Sequence, residues 1–179
     1  CDKKNIVLIF DECTSGFRET FGAIYKKYKI TPDMIMLGKA LGNGFAINAV
    51  LGKKSVMDYA QASFISSTFW TEKIGSIAAL KTLEVMNKQK SWKKISNLGV
   101  MIKKNWLEIA NKYGFEISLQ GLDAIPSFVF KNVDNLLYKT SLTQRMLDKK
   151  YLASNLIYLS TVHEKIYKQY LDVFDEILN

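Results

Sequence analysis

The chain has 179 residues, 48% of them hydrophobic, with only 10 Gly and 2 Pro. That is enough for a sizeable core and excludes a disordered polymer. The formal charge is +8, but the lysines are dispersed as Lys26-Lys27, Lys53-Lys54, Lys93-Lys94, Lys103-Lys104 and Lys149-Lys150. This pattern of solvated faces argues against a nucleic-acid surface, which would show a longer basic run or a stripe interleaved with aromatics.

No apolar run reaches the length of a membrane span. Two cysteines, Cys1 and Cys13, give neither a disulfide framework nor a metal-ligand spacing, so no metal site is expected and the expected compartment is cytoplasmic. The chain opens on Cys1 and enters a strand-like run almost at once. The expectation is a C-terminal piece of a longer protein.

In chain order, Ile6–Phe10 is a short, continuous apolar run, as in a central buried strand. A polar turn over Asp11–Gly16 follows. Arg18–Lys29 carries Phe21, Ile24, Tyr25 and Tyr28 at helical spacing and is stopped by Thr31-Pro32-Asp33. Asp33–Leu37 is a second strand, and Ala46–Leu51 a third. Between them lies Gly38-Lys-Ala-Leu-Gly-Asn-Gly44, a loop with three glycines.

Ser55–Ala60 predicts a short helix and Phe64–Thr71 a loop. Glu72–Lys88 predicts a helix with Ile77, Leu80, Leu83 and Val85 on its buried face. Ser91 opens a long helix with Trp92, Ile95, Leu98, Ile102, Trp106 and Ile109 on one stripe, ended by Gly114. Phe115–Leu119 and Ile125–Phe130 read as strands around a turn at Gly121. Ser141–Leu152 predicts a helix and Leu156–Leu159 a short strand. Thr161-Val-His-Glu164 has the spacing of a capping box for a last helix that buries Ile166, Tyr170, Phe174 and Ile177.

The style changes near residue 90. Short strands with reactive-looking loops give way to helices alternating with half-buried strands. The expected organisation is therefore 1–90 and 91–179, in an α/β chain.

Two residues stand out as candidate site residues. Asp11 and Lys39 each follow a strand-like run, and reactive groups in open α/β sheets gather at the carboxyl ends of strands. Read on its residues alone, Lys39 is either a surface lysine in a glycine turn, which is the commoner case, or a desolvated amine that attacks carbonyls in a roomy pocket. Asp11 is either a cap or ion pair at a strand end, or the acid that holds a proton on a heterocyclic nitrogen. An apolar run ending in Asp-Glu also fits the magnesium-handling strand of a P-loop nucleotide hydrolase, but Gly38-Lys39 lacks the spacing of the phosphate loop that such a protein needs.

Four blocks taken together carry a resemblance: Phe10-Asp-Glu-Cys-Thr-Ser-Gly-Phe-Arg18, Thr31-Pro-Asp33, Leu37-Gly-Lys-Ala-Leu-Gly-Asn-Gly44 and Ala49-Val-Leu-Gly52. In order and spacing they resemble the class III aminotransferases, pyridoxal-phosphate enzymes of fold type I, and within them the glutamate-1-semialdehyde aminomutase-like branch. The resemblance continues through Ser67-Thr-Phe-Trp-Thr-Glu72 and covers roughly the second half of a family member.

What it implies is specific. Residues 1–90 would finish a large, mostly parallel-sheet domain, and 91–179 would form a small α/β domain. Lys39 falls on the lysine of the internal aldimine with pyridoxal 5'-phosphate. Asp11 falls on the acid paired with the pyridinium nitrogen. Cys13 takes the place against one ring face, where the family usually has a branched aliphatic. Thr68 falls on the threonine that reaches the cofactor phosphate of the partner subunit in a homodimer. The implied reaction transfers an amino group between an amino donor and an aldehyde or keto acceptor. The aminomutase reaction is the alternative, and Phe69-Trp-Thr-Glu72, which replaces that branch's small-residue pattern, favours the transferase. Among the remaining residues, His163 reads as solvated, and Trp70 as a residue near the substrate entrance.

Overall fold

A computed structural model describes residues 1–179. The chain forms two compact units, Cys1–Trp92 and Lys93–Asn179.

In the first unit, strands β1 (Ile9–Asp11), β2 (Met34–Leu37) and β3 (Ala49–Gly52) form a sheet in that order. β1 runs parallel to β2, with Asp11 opposite Met36, and β3 runs antiparallel to β2. β1 is shorter than the Ile6–Phe10 run predicts, and within this chain it pairs on one side only, with β2. Ile6, Val7 and Ile9 are exposed. Asp33 fastens the start of the sheet. Its carboxylate accepts the Leu8 N–H at 2.8 Å and a hydrogen bond from Lys53 Nζ at 2.7 Å. Both bonds favour the anion and hold this carboxyl below its ordinary range.

The helix predicted over Arg18–Lys29 shrinks to α1 (Tyr25–Tyr28). Phe17 at φ 62° and Gly22 at φ 107° turn the chain before it. Phe17, Ala23, Leu37, Leu41 and Ala79 form the core here. α2 (Lys54–Met57) continues into a 3-10 turn over Asp58–Ala62.

α3 (Lys73–Gln89) corrects a further expectation. It buries Gly75 and Ala79, with Leu83 and Met86 half-buried, while Ile77, Leu80 and Val85 are exposed. The reason is close approach. A Cβ on Gly75 would lie 2.5 Å from the Ala46 carbonyl oxygen, so the face with the smallest side chains is the one that packs.

The second unit is built on α4 (Ser91–Lys112), which begins just before the boundary. Its stripe of Ile95, Leu98, Ile102 and Trp106 is buried. Gly114, at φ 76°, follows the helix end. β4 (Ile117–Gln120) and β5 (Ser127–Phe130) make an antiparallel pair. α5 (Asn135–Asp148) starts ahead of the predicted Ser141, because the Asp134 carboxylate caps it by accepting the Leu136 and Leu137 N–H groups at 3.0 and 3.1 Å.

Leu156 makes a single bridge with Ser127 instead of a strand. The capping box is also displaced. It pairs Ser160 with His163, and it caps a 3-10 turn over Thr161–Lys165. His163 is half-buried, and its Nδ1 accepts the Ser160 N–H at 3.2 Å. Burial pushes its imidazole below the ordinary value.

α6 (Tyr167–Leu178) buries Tyr170, Leu171, Phe174 and Ile177, while Ile166 is exposed. At the centre of this unit Trp106, fully enclosed, meets Phe128 edge-on at 4.9 Å and donates Nε1–H to the Tyr170 hydroxyl at 2.9 Å. Burial raises the Tyr170 phenol far above its usual value, against a smaller opposing effect of the Trp106 bond. No helix is long and apolar enough to cross a membrane.

Candidate active site

Parallel pairing of β1 with β2 brings two loops to one edge of the sheet. Both strands run the same way, so the segments after Asp11 and after Leu37 leave from their carboxyl ends. The ladder extends one step further through the Glu12 N–H, which donates to the Met36 carbonyl at 2.9 Å.

Alternation along the strand then sorts the two acids. Asp11 is exposed, whereas Glu12 is only 2% exposed. The Glu12 carboxylate turns inward and accepts the backbone N–H groups of Ile24 and Tyr25, the latter at 3.1 Å. Those two bonds replace solvent for a buried anion and pin the chain entering α1.

The Asp11 carboxylate folds over its own turn and accepts the Cys13 N–H at 3.0 Å. That hydrogen bond is the main reason its carboxyl sits below the ordinary range, and the charge of Lys39 adds to it. Asp11 is therefore an anion at neutral pH that presents free lone pairs to solvent. Cys13 is half-buried, and burial and its acidic neighbour push its thiol up, so it stays a neutral, weakly polar surface.

Lys39 opens a 3-10 turn over Lys39–Leu41 with φ 41°. A lysine in the left-handed region is held there against a cost of about 1–3 kcal/mol. The Asn43 N–H closes the loop on the Lys39 carbonyl at 3.0 Å. Gly38, extended and just before it, is the close-approach residue. A Cβ there would lie 2.3 Å from Asn48 Oδ1 and 3.5 Å from Cys13 Sγ. The Lys39 side chain is exposed, and its Nζ donates to the Thr14 hydroxyl.

The structure thus brings Asp11, Cys13, Thr14 and Lys39 together. Thr68 makes no hydrogen bond to any of them. It is exposed in a turn held by the Trp70 N–H on the Ser67 carbonyl at 3.2 Å. His163 belongs to the second unit. Glu12 and Thr14 are missed by sequence reasoning. Period-2 alternation beside Asp11 is the signal that would have found Glu12, whereas the Thr14 contact spans 25 residues and leaves no local trace.

Chemically, a primary amine and an ionised carboxylate at one open edge suit a flat heterocycle with a carbonyl at one end and a basic nitrogen at another. The residues fit a pyridine aldehyde: an anion for the ring nitrogen, an amine for the carbonyl and a thiol of low polarity to pack on a face. They do not fit a P-loop. Lys39 starts a three-residue turn that runs on toward β3, so no helix N-terminus is available to cradle phosphates.

Comparison with known proteins agrees with the chemistry. The family model for aminotransferase class-III matches residues 1–152. The 3-aminobutyryl-CoA aminotransferase of Cloacimonas acidaminovorans is 34% identical over 139 residues, which are 77% of this chain and 34% of that protein. The glutamate-1-semialdehyde 2,1-aminomutase of Nitrosopumilus maritimus is 32% identical over 144 residues, 78% of this chain and 34% of that one. The chain spans about a third of the length of these curated relatives.

Among solved structures, the FumI protein of Sphingopyxis sp. MTA144, in its PLP internal aldimine form, superposes with a TM-score of 0.92 at 22% identity. It covers 99% of this chain and 44% of that one. An omega-transaminase from Sphaerobacter thermophilus gives a TM-score of 0.87 at 20% identity, covering 99% and 45%. At these identities the likeness establishes the fold.

Proposed function

The chain belongs to the aminotransferase class-III family and has the pyridoxal-phosphate fold type I, and on that premise we propose that the full-length protein is a pyridoxal 5'-phosphate aminotransferase. It moves an amino group from an amino donor to an aldehyde or keto acceptor. The observation that carries this reading is that Asp11, its carboxyl lowered by the Cys13 N–H, and Lys39 follow two adjacent parallel strands at one sheet edge.

When bound, pyridoxal phosphate supplies an electron sink that acidifies the Cα–H of an amino substrate. The chain's own residues do the rest. Asp11 would keep a proton on the ring nitrogen, because the Cys13 N–H holds its carboxyl below the ordinary range. Lys39 Nζ would hold the cofactor through its amine and, once freed by the substrate amine, would serve as the general base that takes and returns the substrate proton. Cys13 would pack on one ring face, and Thr68 would donate its hydroxyl to the cofactor phosphate of a partner subunit in a homodimer.

Residues 1–90 then complete the large cofactor-binding domain, and residues 91–179 form the small one. Two free cysteines agree with a cytoplasmic protein. The aminomutase names among the relatives favour a second reading, an isomerase using the same residues.

Borohydride reduction of the full-length protein with pyridoxal phosphate should fix the cofactor to Lys39, read by peptide mass. Lys39→Ala protein should gain nothing. An adduct that persists in that variant overturns the reading. Feeding glutamate-1-semialdehyde without an amino acceptor separates the two reactions, since only the isomerase forms 5-aminolevulinate.

A further inference from the structure

Lys39 has a long, exposed side chain, and its many rotamers leave the amine without direction unless a polar group holds it. Thr14 is that group: its hydroxyl accepts the hydrogen bond from Lys39 Nζ. Thr14 is itself well held. It is half-buried in a turn closed at one side by the Cys13 N–H on Asp11, and at the other by the Gly16 N–H on the Glu12 carbonyl at 2.8 Å. Branching at Cβ leaves it few side-chain rotamers. Thr14 sits in the turn that the Asp11 carboxylate closes, so the anchored amine is held at the carboxyl end of β1.

We propose that Thr14 is a positioning residue for Lys39, its hydroxyl fixing the amine on the Asp11 side of the sheet edge so that an incoming carbonyl meets it in one orientation. This rests on the reading of Lys39 as the cofactor-binding amine. A hydroxyl carries one donor hydrogen and two lone pairs. It accepts from the ammonium and donates to the free amine, so one residue can hold Lys39 in both protonation states. Valine has the same shape and neither capacity, whereas serine keeps both.

The test is the rate at which full-length apoprotein captures pyridoxal phosphate, followed by cofactor absorbance. Thr14→Val should slow capture by about tenfold or more, the scale on which a misdirected reacting group loses rate. Its thermal midpoint should be unchanged, and borohydride should still fix the cofactor to Lys39. Thr14→Ser should return the rate to within about threefold of wild type, because the hydroxyl is restored. Should Thr14→Val fail to fold, Thr14→Ala carries the same expectations.

Capture at the wild-type rate in the hydroxyl-free variant overturns the inference. So does a Thr14→Ser protein as slow as Thr14→Val, because the hydroxyl would then be present without restoring the rate. A wild-type protein that forms no Lys39 adduct overturns the functional reading and this inference with it.

Discussion

Asp11 and Glu12 are adjacent acids that face opposite sides of one strand end. Asp11 looks into solvent beside Lys39, while Glu12 is enclosed and holds the backbone of Ile24 and Tyr25. One faces the candidate site and the other the interior. The strand's two-residue period is what separates them.

Replacing Glu12 should therefore cost stability. Glu12→Ala leaves two backbone N–H groups without acceptors at a buried position, worth about 2–4 kcal/mol in urea unfolding of the full-length protein. Glu12→Gln keeps one carbonyl oxygen and should cost less. A change in Glu12→Ala within about 0.5 kcal/mol, the range of an ordinary surface substitution, would contradict the buried role.

Gly42 governs the loop that follows Lys39. A Cβ there would lie 2.1 Å from the Phe45 carbonyl oxygen and 2.9 Å from Ile47 Cγ2. Backbone cannot swing aside as a side chain can. Gly42→Ala should cost about 1–3 kcal/mol and shift the loop. The paired measurement is the rate at which the full-length apoprotein captures pyridoxal phosphate, which should fall as the amine leaves Thr14.

Tyr170→Phe tests the centre of the second unit. It removes the acceptor from the Trp106 indole N–H without changing the packing around it. An orphaned buried donor costs about 1–3 kcal/mol. Thermal unfolding that matches wild type would mean that the N–H finds another partner.

Acid should loosen the first unit. The Asp33 carboxyl is held below its ordinary value of 3.8, with the Leu8 N–H bond as the main cause and Lys53 second. A carboxyl lowered in the fold contributes stability that is fully present above its unfolded value. That contribution is lost as pH falls below about 4 and through the lowered folded value. Asp33→Asn should make stability less sensitive to pH in that window, measured as urea midpoints from pH 5 to pH 2. Equal pH dependence in both proteins would remove Asp33 from the account.

The placement of Asp11 and Lys39 at neighbouring strand ends was legible because its signals are local. Apolar runs before Asp11 and Lys39 mark β1 and β2, and parallel pairing does the rest. The helix predicted over Arg18–Lys29 failed because hydrophobic spacing carries no information about the left-handed turns at Phe17 and Gly22, or about a Glu12 carboxylate that takes the N–H groups of Ile24 and Tyr25. The buried face of α3 was misread for a different reason. Periodicity weighs large residues, whereas Gly75 packs by being small enough to meet the Ala46 backbone. The capping box moved by one residue because the His163 imidazole, not the Glu164 carboxylate, reaches back to the Ser160 N–H.

β1 has a practical consequence. Only β2 pairs with it, so its outer flank offers unused amides and carbonyls beside the oily side chains of Ile6, Val7 and Ile9. Such a flank is a template for any extended peptide it meets. In preparations of this polypeptide by itself that flank is one place where copies can pair edge to edge, and a charged residue in place of the exposed Ile9 would disfavour it.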